Sequence, residues 1–264
     1  HRIALNGLNY YEFDSLAAAG GMRHGVFTRL GGVSPAPYAS LNVGSTVGDD
    51  PGRVLQNRAR AASALGLRDE DVRTTWQVHS ADVVIVRRGE KQPYPPPRAD
   101  VILTPDAGVP LTMRFADCAP ILLYDPVRHA LGMVHAGWRG TAMRAAQAAV
   151  ETMRDAFGSR PADLLAGIGP AIGPDHYEVG PEVVRAIHKA FTQADRLLHP
   201  TERPGHARLD LWEANRQVLE DAGVQEVEVS GLCTFTHVDQ FFSHRAEHGK
   251  TGRFGMIAML EERG

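Results

Sequence analysis

The sequence predicts an α+β fold, an irregular α/β sandwich of mixed sheets with flanking helices, in one domain over residues 1–264. Three observations predict it. Short β-rich runs and amphipathic helical runs are mixed without a regular βαβ period, and no internal repeat recurs. The chain is 43% apolar and 22% charged, an ordinary balance for a globular protein. At 264 residues it exceeds the usual domain size but remains within the range where mixed chains share one sizeable core.

The opening third reads as short strands and Gly-rich turns at 24–32 and 44–48. A helix follows from Pro51 to about Leu65, with Asp50 and Pro51 as its start signal and Gly66 as its stop. Strand-like runs come at 74–78 and 83–87, and the segment 92–98, with four prolines, reads as an exposed, mobile loop. Residues 100–135 hold several apolar β runs in quick succession, ending in 119–124 and 130–134. Beyond them lie a helix at 140–157, a buried strand at 164–168, helices at 181–191 and 211–222, and strands at 227–230 and 253–260.

Composition excludes several function classes. Lys plus Arg of 28 against Asp plus Glu of 31 leaves a net charge of −3, too balanced for a nucleic-acid or anionic-membrane surface. No apolar run approaches the roughly 18 residues that cross a bilayer. Any anion must therefore be held by a local site. Only Cys118 and Cys233 are present and no signal-peptide pattern opens the chain, so a reducing cytoplasm is expected. The first residue is His1 rather than Met, as a processed start would leave it. Twelve histidines direct attention to metal or proton-transfer chemistry.

The most informative stretch is Cys118 to His135, two apolar arms around Asp125-Pro126-Val127-Arg128. Pro126 suits the second position of a type I turn. With Pro126 and Val127 as the loop, Cys118 stands opposite His135, with Cβ atoms about 5 Å apart, close enough to share a metal. A register shifted at the turn keeps the two near. The alternative is a buried free cysteine with a chance neighbour. His79 lies where one strand ends and the next begins. A Cys/His/His set is a three-ligand arrangement, which is how a catalytic zinc with one open position is built. The deaminase signature, the H-E-x-x-H motif and C-x-x-C fingers are all absent.

The segments GGVSPAPYASLNVGSTVGDD (31–50), QNR (56–58), WQVHSADVV (76–84), RFADCAPILLYDPV (114–127), GMVHAGWRGT (132–141), GIGPAIGPDHYEVG (167–180) and FFSHRAEHGKTGRFG (241–255) resemble, in order, the motifs of the YfiH (DUF152) family. That family also carries the name polyphenol oxidoreductase laccase. The resemblance spans nearly the whole chain and implies the YfiH-like fold and a metal site at His79, Cys118 and His135. It further implies purine nucleoside phosphorolysis, taking adenosine, inosine, guanosine or methylthioadenosine with phosphate, and adenosine deamination beside it. Zinc is the implied cofactor, with copper the alternative from the older laccase naming. The family's C-terminal pattern is nearer to FFSYRRD, whereas His244, Ala246 and His248 stand here, and Ser80 replaces a common Gly. These departures bear on substrate preference and leave the ligands intact.

Cys118, His135 and Asp117 are the catalytic candidates, Asp117 as an orienting group or base, although a strand would point it away from Cys118. Arg29, Arg58 and Arg139 are candidates for phosphate, Arg139 together with the free amides of the helix that starts near Thr141, just after Gly137-Trp-Arg-Gly140. Trp138 and its glycines equally suit a tight turn. Asn42 and Ser40 are candidates for the ribose, or else turn caps. In GIGPAIG, Pro170 and the spacing argue against a dinucleotide loop. Cys233 reads as a buried small residue. Three rivals remain: a cysteine hydrolase or deamidase using Cys118 with His135, a copper polyphenol oxidase, and a metal-binding module without catalysis. Oligomeric state is open, with a monomer as the default.

Overall fold

Alternation along the strands sorts side chains into separate layers. The computed structural model of the chain describes residues 1–5 and 7–263. One six-stranded sheet runs in the order β1 (Arg2–Leu5), β2 (Leu8–Tyr11), β3 (Met22–Phe27), β15 (Phe254–Leu260), β7 (Leu111–Phe115), β4 (Arg73–Thr74). A second runs β14 (Glu226–Val229), β10 (Leu165–Ile168), β8 (Ala119–Asp125), β9 (Ala130–Ala136), β6 (Val101–Thr104), β5 (Val83–Ile85). A small sheet orders β11 (Glu178–Val179), β13 (Ala207–Leu209) and β12 (Leu198–Pro200).

Facing sides of the two large sheets share one core, in which Met113, Phe115, Phe254 and Met256 meet Ile102, Leu122 and Met133. The odd-numbered residues of β8, Ile121 and Leu123, turn instead to the helical side. There they pack with α4 (Ala145–Phe157), α5 (Pro181–Ala190) and α6 (Leu211–Asp221). On the far side of the first sheet, Phe27 and Ile257 pack under Ala61 of α2 (Pro51–Ala64). The result is a helix–sheet–sheet–helix sandwich of mixed sheets, as expected. The short α1 (Asp14–Ala19) bridges β2 and β3, and α3 (Trp138–Ala142) follows β9 directly. No helix among the described residues is long and apolar enough to cross a membrane.

The start and stop of α2 follow the expected chemistry. Asp50 caps it by accepting from the Arg53 amide at 2.9 Å, and Gly66 beyond its end has φ +71°. Three local expectations need correction. The helix expected over 140–157 is two helices, because Arg144 adopts a left-handed conformation (φ +58°) and interrupts the ladder. The break lets Thr141 hydrogen-bond Asn215 of α6 while α4 lies on the sheet. The strand expected over 74–78 stops at Thr74. From there the Gln77 side chain replaces backbone pairing, bonding the carbonyl and amide of Arg114 at 2.7 and 3.0 Å. The loop 92–98 is tied down by Gln92, which bonds both backbone groups of Thr74, and by the Trp76 amide donating to the Pro97 carbonyl.

His24 on β3 is buried, and its Nε2 accepts the Phe13 amide at 2.8 Å, which requires a neutral ring. Burial lowers its pKa to about 4. Between that value and the ordinary histidine range, the unfolded chain binds a proton that the folded chain does not. The stabilisation is therefore complete above about pH 6.5 and is lost as pH falls toward 4, amounting to at most about 3 kcal/mol. His24→Gln keeps an acceptor but cannot titrate. Denaturant melts from pH 7 to pH 4 should show the stability gap between wild type and variant closing as pH falls, and a constant gap would refute this account.

Candidate metal centre

Three segments far apart in sequence bring His79, Cys118 and His135 together, with one potential ligand atom from each lying within 4.8 Å of the others. The hairpin that carries two of them has a different register from the expected one. Asp125 pairs with Ala130, so the loop has four residues, and Pro120 rather than Cys118 stands opposite His135. The Asp125 carboxylate causes this. It accepts the amides of Val127 and Arg128, both at 2.9 Å, and His129 at φ +57° then returns the chain to the strand. The slip is an even number of residues, so Cys118 keeps the face of His135 and becomes its diagonal neighbour.

Asp100, which the sequence did not single out, holds the centre. Its Oδ1 lies 2.7 Å from His135 Nδ1, which leaves Nε2 as the free ring nitrogen. Its Oδ2 accepts the amides of Val78 at 3.0 Å and Ser80 at 2.7 Å, the two neighbours of His79. Burial raises the Asp100 pKa, but the His135 hydrogen bond and the Ser80 amide outweigh it and bring it to about 2. The carboxylate is thus ionised at neutral pH. Burial likewise raises the Cys118 thiol, yet His135 and His79 outweigh it and bring the thiol down to about 6. Thiolate is the form in which sulfur binds metal. Gly137 completes the packing, since a Cβ there would stand 2.8 Å from Cys118 Sγ and 3.3 Å from His79 Cδ2. Two imidazoles and a thiolate at this separation, with His79 exposed on the open side, suit a borderline-soft cation with an open position.

The centre opens into a cleft of about 830 Å³. Arg58, Arg139 and Asp117 line it, as do Tyr177, His244 and Arg245. Arg139 stacks over Trp138, its guanidinium 4.4 Å from the ring centroid. Asp117 is not in a strand as expected. At φ +86° its carboxylate accepts from Thr234 Oγ1 and the Arg245 amide, both at 2.7 Å, and so ties down the C-terminal motif. Arg29 and Asn42 do not line the cleft. The Arg29 side chain bonds the carbonyls of Ala39 and Val238, pairs with Glu247 at 3.1 Å and stacks on Phe242. Asn42 is buried and bonds both backbone groups of Gly44, the Asp49 carboxylate and the Arg253 amide. Ser40 bonds the backbone of Gly32 and Arg29, as a turn cap does. Cys233 is only half-buried, its sulfur accepting the Gly173 amide at 3.2 Å. Sequence reasoning also gave no role to Arg114, Arg253 and Tyr177 on the cleft wall, although each lies in one of the motifs quoted above, which was the signal that could have found them.

A family model described as multi-copper polyphenol oxidoreductase laccase matches residues 23–261. Crystal structures of YlmD from Geobacillus stearothermophilus and of YfiH from Bacillus licheniformis superpose with TM-scores of 0.91 and 0.90, each at 36% identity, covering 98% and 97% of this chain and the same shares of theirs. The chain belongs to the YfiH family. Among YfiH relatives, a purine nucleoside phosphorylase of Deinococcus radiodurans is 42% identical over 91% of this chain and 90% of its own length. The purine nucleoside phosphorylase YfiH of Escherichia coli K12 is 35% identical over 88% and 91%. This YfiH-family chain carries one three-donor cluster of this kind among the described residues.

Asp100→Asn should retain the fold but weaken metal binding by about 10- to 100-fold, because an amide cannot accept from His135, Val78 and Ser80 together. Competition with a chromogenic chelator measures this, and wild-type affinity would remove Asp100 from its role. Gly137→Ala should lose metal more completely, with an unchanged far-UV spectrum.

Proposed function

We propose that this protein is a zinc-dependent purine nucleoside phosphorylase. It would convert adenosine, inosine, guanosine or methylthioadenosine and phosphate to the free base and the sugar 1-phosphate, with adenosine deamination as a parallel activity. The observation that carries the reading is a His79–Cys118–His135 centre with an open side, set on the wall of a cleft large enough for a nucleoside and lined by several arginines. The relatives named as purine nucleoside phosphorylases support it. Two free cysteines suit a reducing cytoplasm, and the protein would act there as a monomer.

His79, Cys118 and His135 would hold the cation. Bound zinc would supply a Lewis acid with one open position. Asp100 fixes the His135 ring so that only one nitrogen can point to the cation. In phosphorolysis a phosphate oxygen forms a bond to C1′ as the C1′–N9 bond breaks, and the base leaves with a proton. Arginines on the wall hold the anion in place for that displacement. Tyr177, whose pKa burial raises, remains a neutral phenol able to donate a hydrogen bond into the cleft. In deamination water adds at C6 and ammonia leaves.

The thiolate of Cys118 beside His135 also fits a cysteine hydrolase or deamidase, although that reading leaves His79 idle. Copper polyphenol oxidation, which the family description suggests, requires more ligand motifs than the single cluster found among the described residues. Metal analysis of the purified protein should give about one equivalent of zinc, the content expected of a single three-ligand site. Incubation with adenosine, inosine and methylthioadenosine should release base only when phosphate is present, and His79→Ala and Cys118→Ala should abolish release. Turnover that survives metal removal and is stopped by iodoacetamide would replace this reading with the hydrolase.

A further inference from the structure

Three arginines share one wall of the cleft. Arg114 of β7 pairs in register with Gly255 of β15 and turns away from the core that holds Phe115. Arg253 lies two residues before Gly255, which places it on the same side of the sheet. Arg58 descends from α2, the helix that covers this face. Backbone carbonyls orient all three. Arg58 Nε donates to Val43 at 3.0 Å, Arg114 Nη2 to Thr75 at 2.6 Å, and Arg253 Nη1 to Gly252 at 2.8 Å.

None of the three forms an ion pair among the described residues, whereas Arg29 pairs with Glu247. Among the described residues, Arg58 Nη2 is buried without any hydrogen-bond partner. Burial first, and then the charge of Arg58, lowers the Arg114 pKa to about 10, so the two guanidiniums are close enough to repel and both remain charged at neutral pH. Burial also lowers Arg253, opposed by the negative charges of Cys118 and Asp117. Like charges gathered out of water, with spare N–H groups, are unfavourable unless an anion joins them.

We propose that Arg58, Arg114 and Arg253 form a phosphate subsite beside the metal centre, with inorganic phosphate as its occupant. The assignment rests on the phosphorylase reading for the identity of the anion. It adds Arg114 and Arg253 to the binding machinery and places the phosphate on the wall formed by β7, β15 and α2. Each guanidinium donates to phosphate oxygens.

Calorimetric titration of inorganic phosphate into the metal-loaded protein tests this, using Arg58→Gln, Arg253→Gln and the control Arg60→Gln, whose side chain bonds the Gly31 carbonyl at the surface. Losing one charged donor should raise the phosphate Kd at least about tenfold in the first two variants and leave the control unchanged. Thermal melts without phosphate establish that each variant is folded, and Arg58→Lys should recover part of the affinity. In turnover, the KM for phosphate should rise while the KM for nucleoside stays level. Phosphate affinity equal to wild type in both variants, or no phosphate binding by the wild type, overturns the proposal. Adenosine monophosphate binding more tightly than phosphate, with the same arginine dependence, would reassign the wall to a nucleotide and also overturn it. Arginine-dependent phosphate binding without nucleoside cleavage would retain the subsite and remove the phosphorylase reading.

Discussion

The hydrogen bond between His135 and Asp100, with the amide bonds that the same carboxylate accepts from Val78 and Ser80, ties the paired strands β6 and β9 to the loop that carries His79. One buried anion orients the His135 ring, fixes the loop that presents His79 and stays charged because its partners are all donors. An ionised carboxylate in this position would be costly without all three donors. Its neighbours therefore have little freedom, and neither do His79 and His135. Cys118 and Gly137 fill the remaining space around them.

The layers of the fold explain why the cleft lies where it does. β7 ends at Phe115, and the chain then passes through Asp117 and Cys118 into β8, so this crossing carries the centre from one large sheet to the other. Ligands come from the ends of strands and the loops beyond them. The rigid hairpin of β8 and β9, buried on both faces, supplies the frame. Gln77, bonded to Arg114, extends the edge of the first sheet by a side chain and delivers His79 to the site. The same residue thereby links the candidate metal centre to the arginine wall.

Charge within the molecule is unevenly distributed despite a net charge of −3. Surface arginines such as Arg68 and Arg216 pair with neighbouring carboxylates, as solvated side chains commonly do. The cleft arginines Arg58, Arg114 and Arg253 are held by carbonyls instead and form no ion pair among the described residues. A local field of this kind is invisible in an overall charge count.

Local chemistry was legible in the residues themselves. The cap at Asp50, the stop at Gly66, the apolar arms around Asp125 and the α+β character follow from short-range sterics and side-chain pattern, which a linear sequence records. That His79, Cys118 and His135 come together was also legible, because the strand period keeps Cys118 and His135 on one face under any even slip, and because the motifs resemble a known family. The hairpin register was misread because the Asp125 side chain, not the dipeptide after it, decides the loop. Partnerships between distant residues could not be read at all. Asp100 with His135, and Arg58 with Arg114 and Arg253, meet only when separate strands and a helix pack together. The same packing withdrew Arg29 and Asn42 from the cleft to hold its surrounding loops. Sequence by itself determined most of the elements and the residue types of the candidate centre. Tertiary structure decided which charges pair with carboxylates and which are held by carbonyls, because electrostatic partnership depends on distance in space and not along the chain.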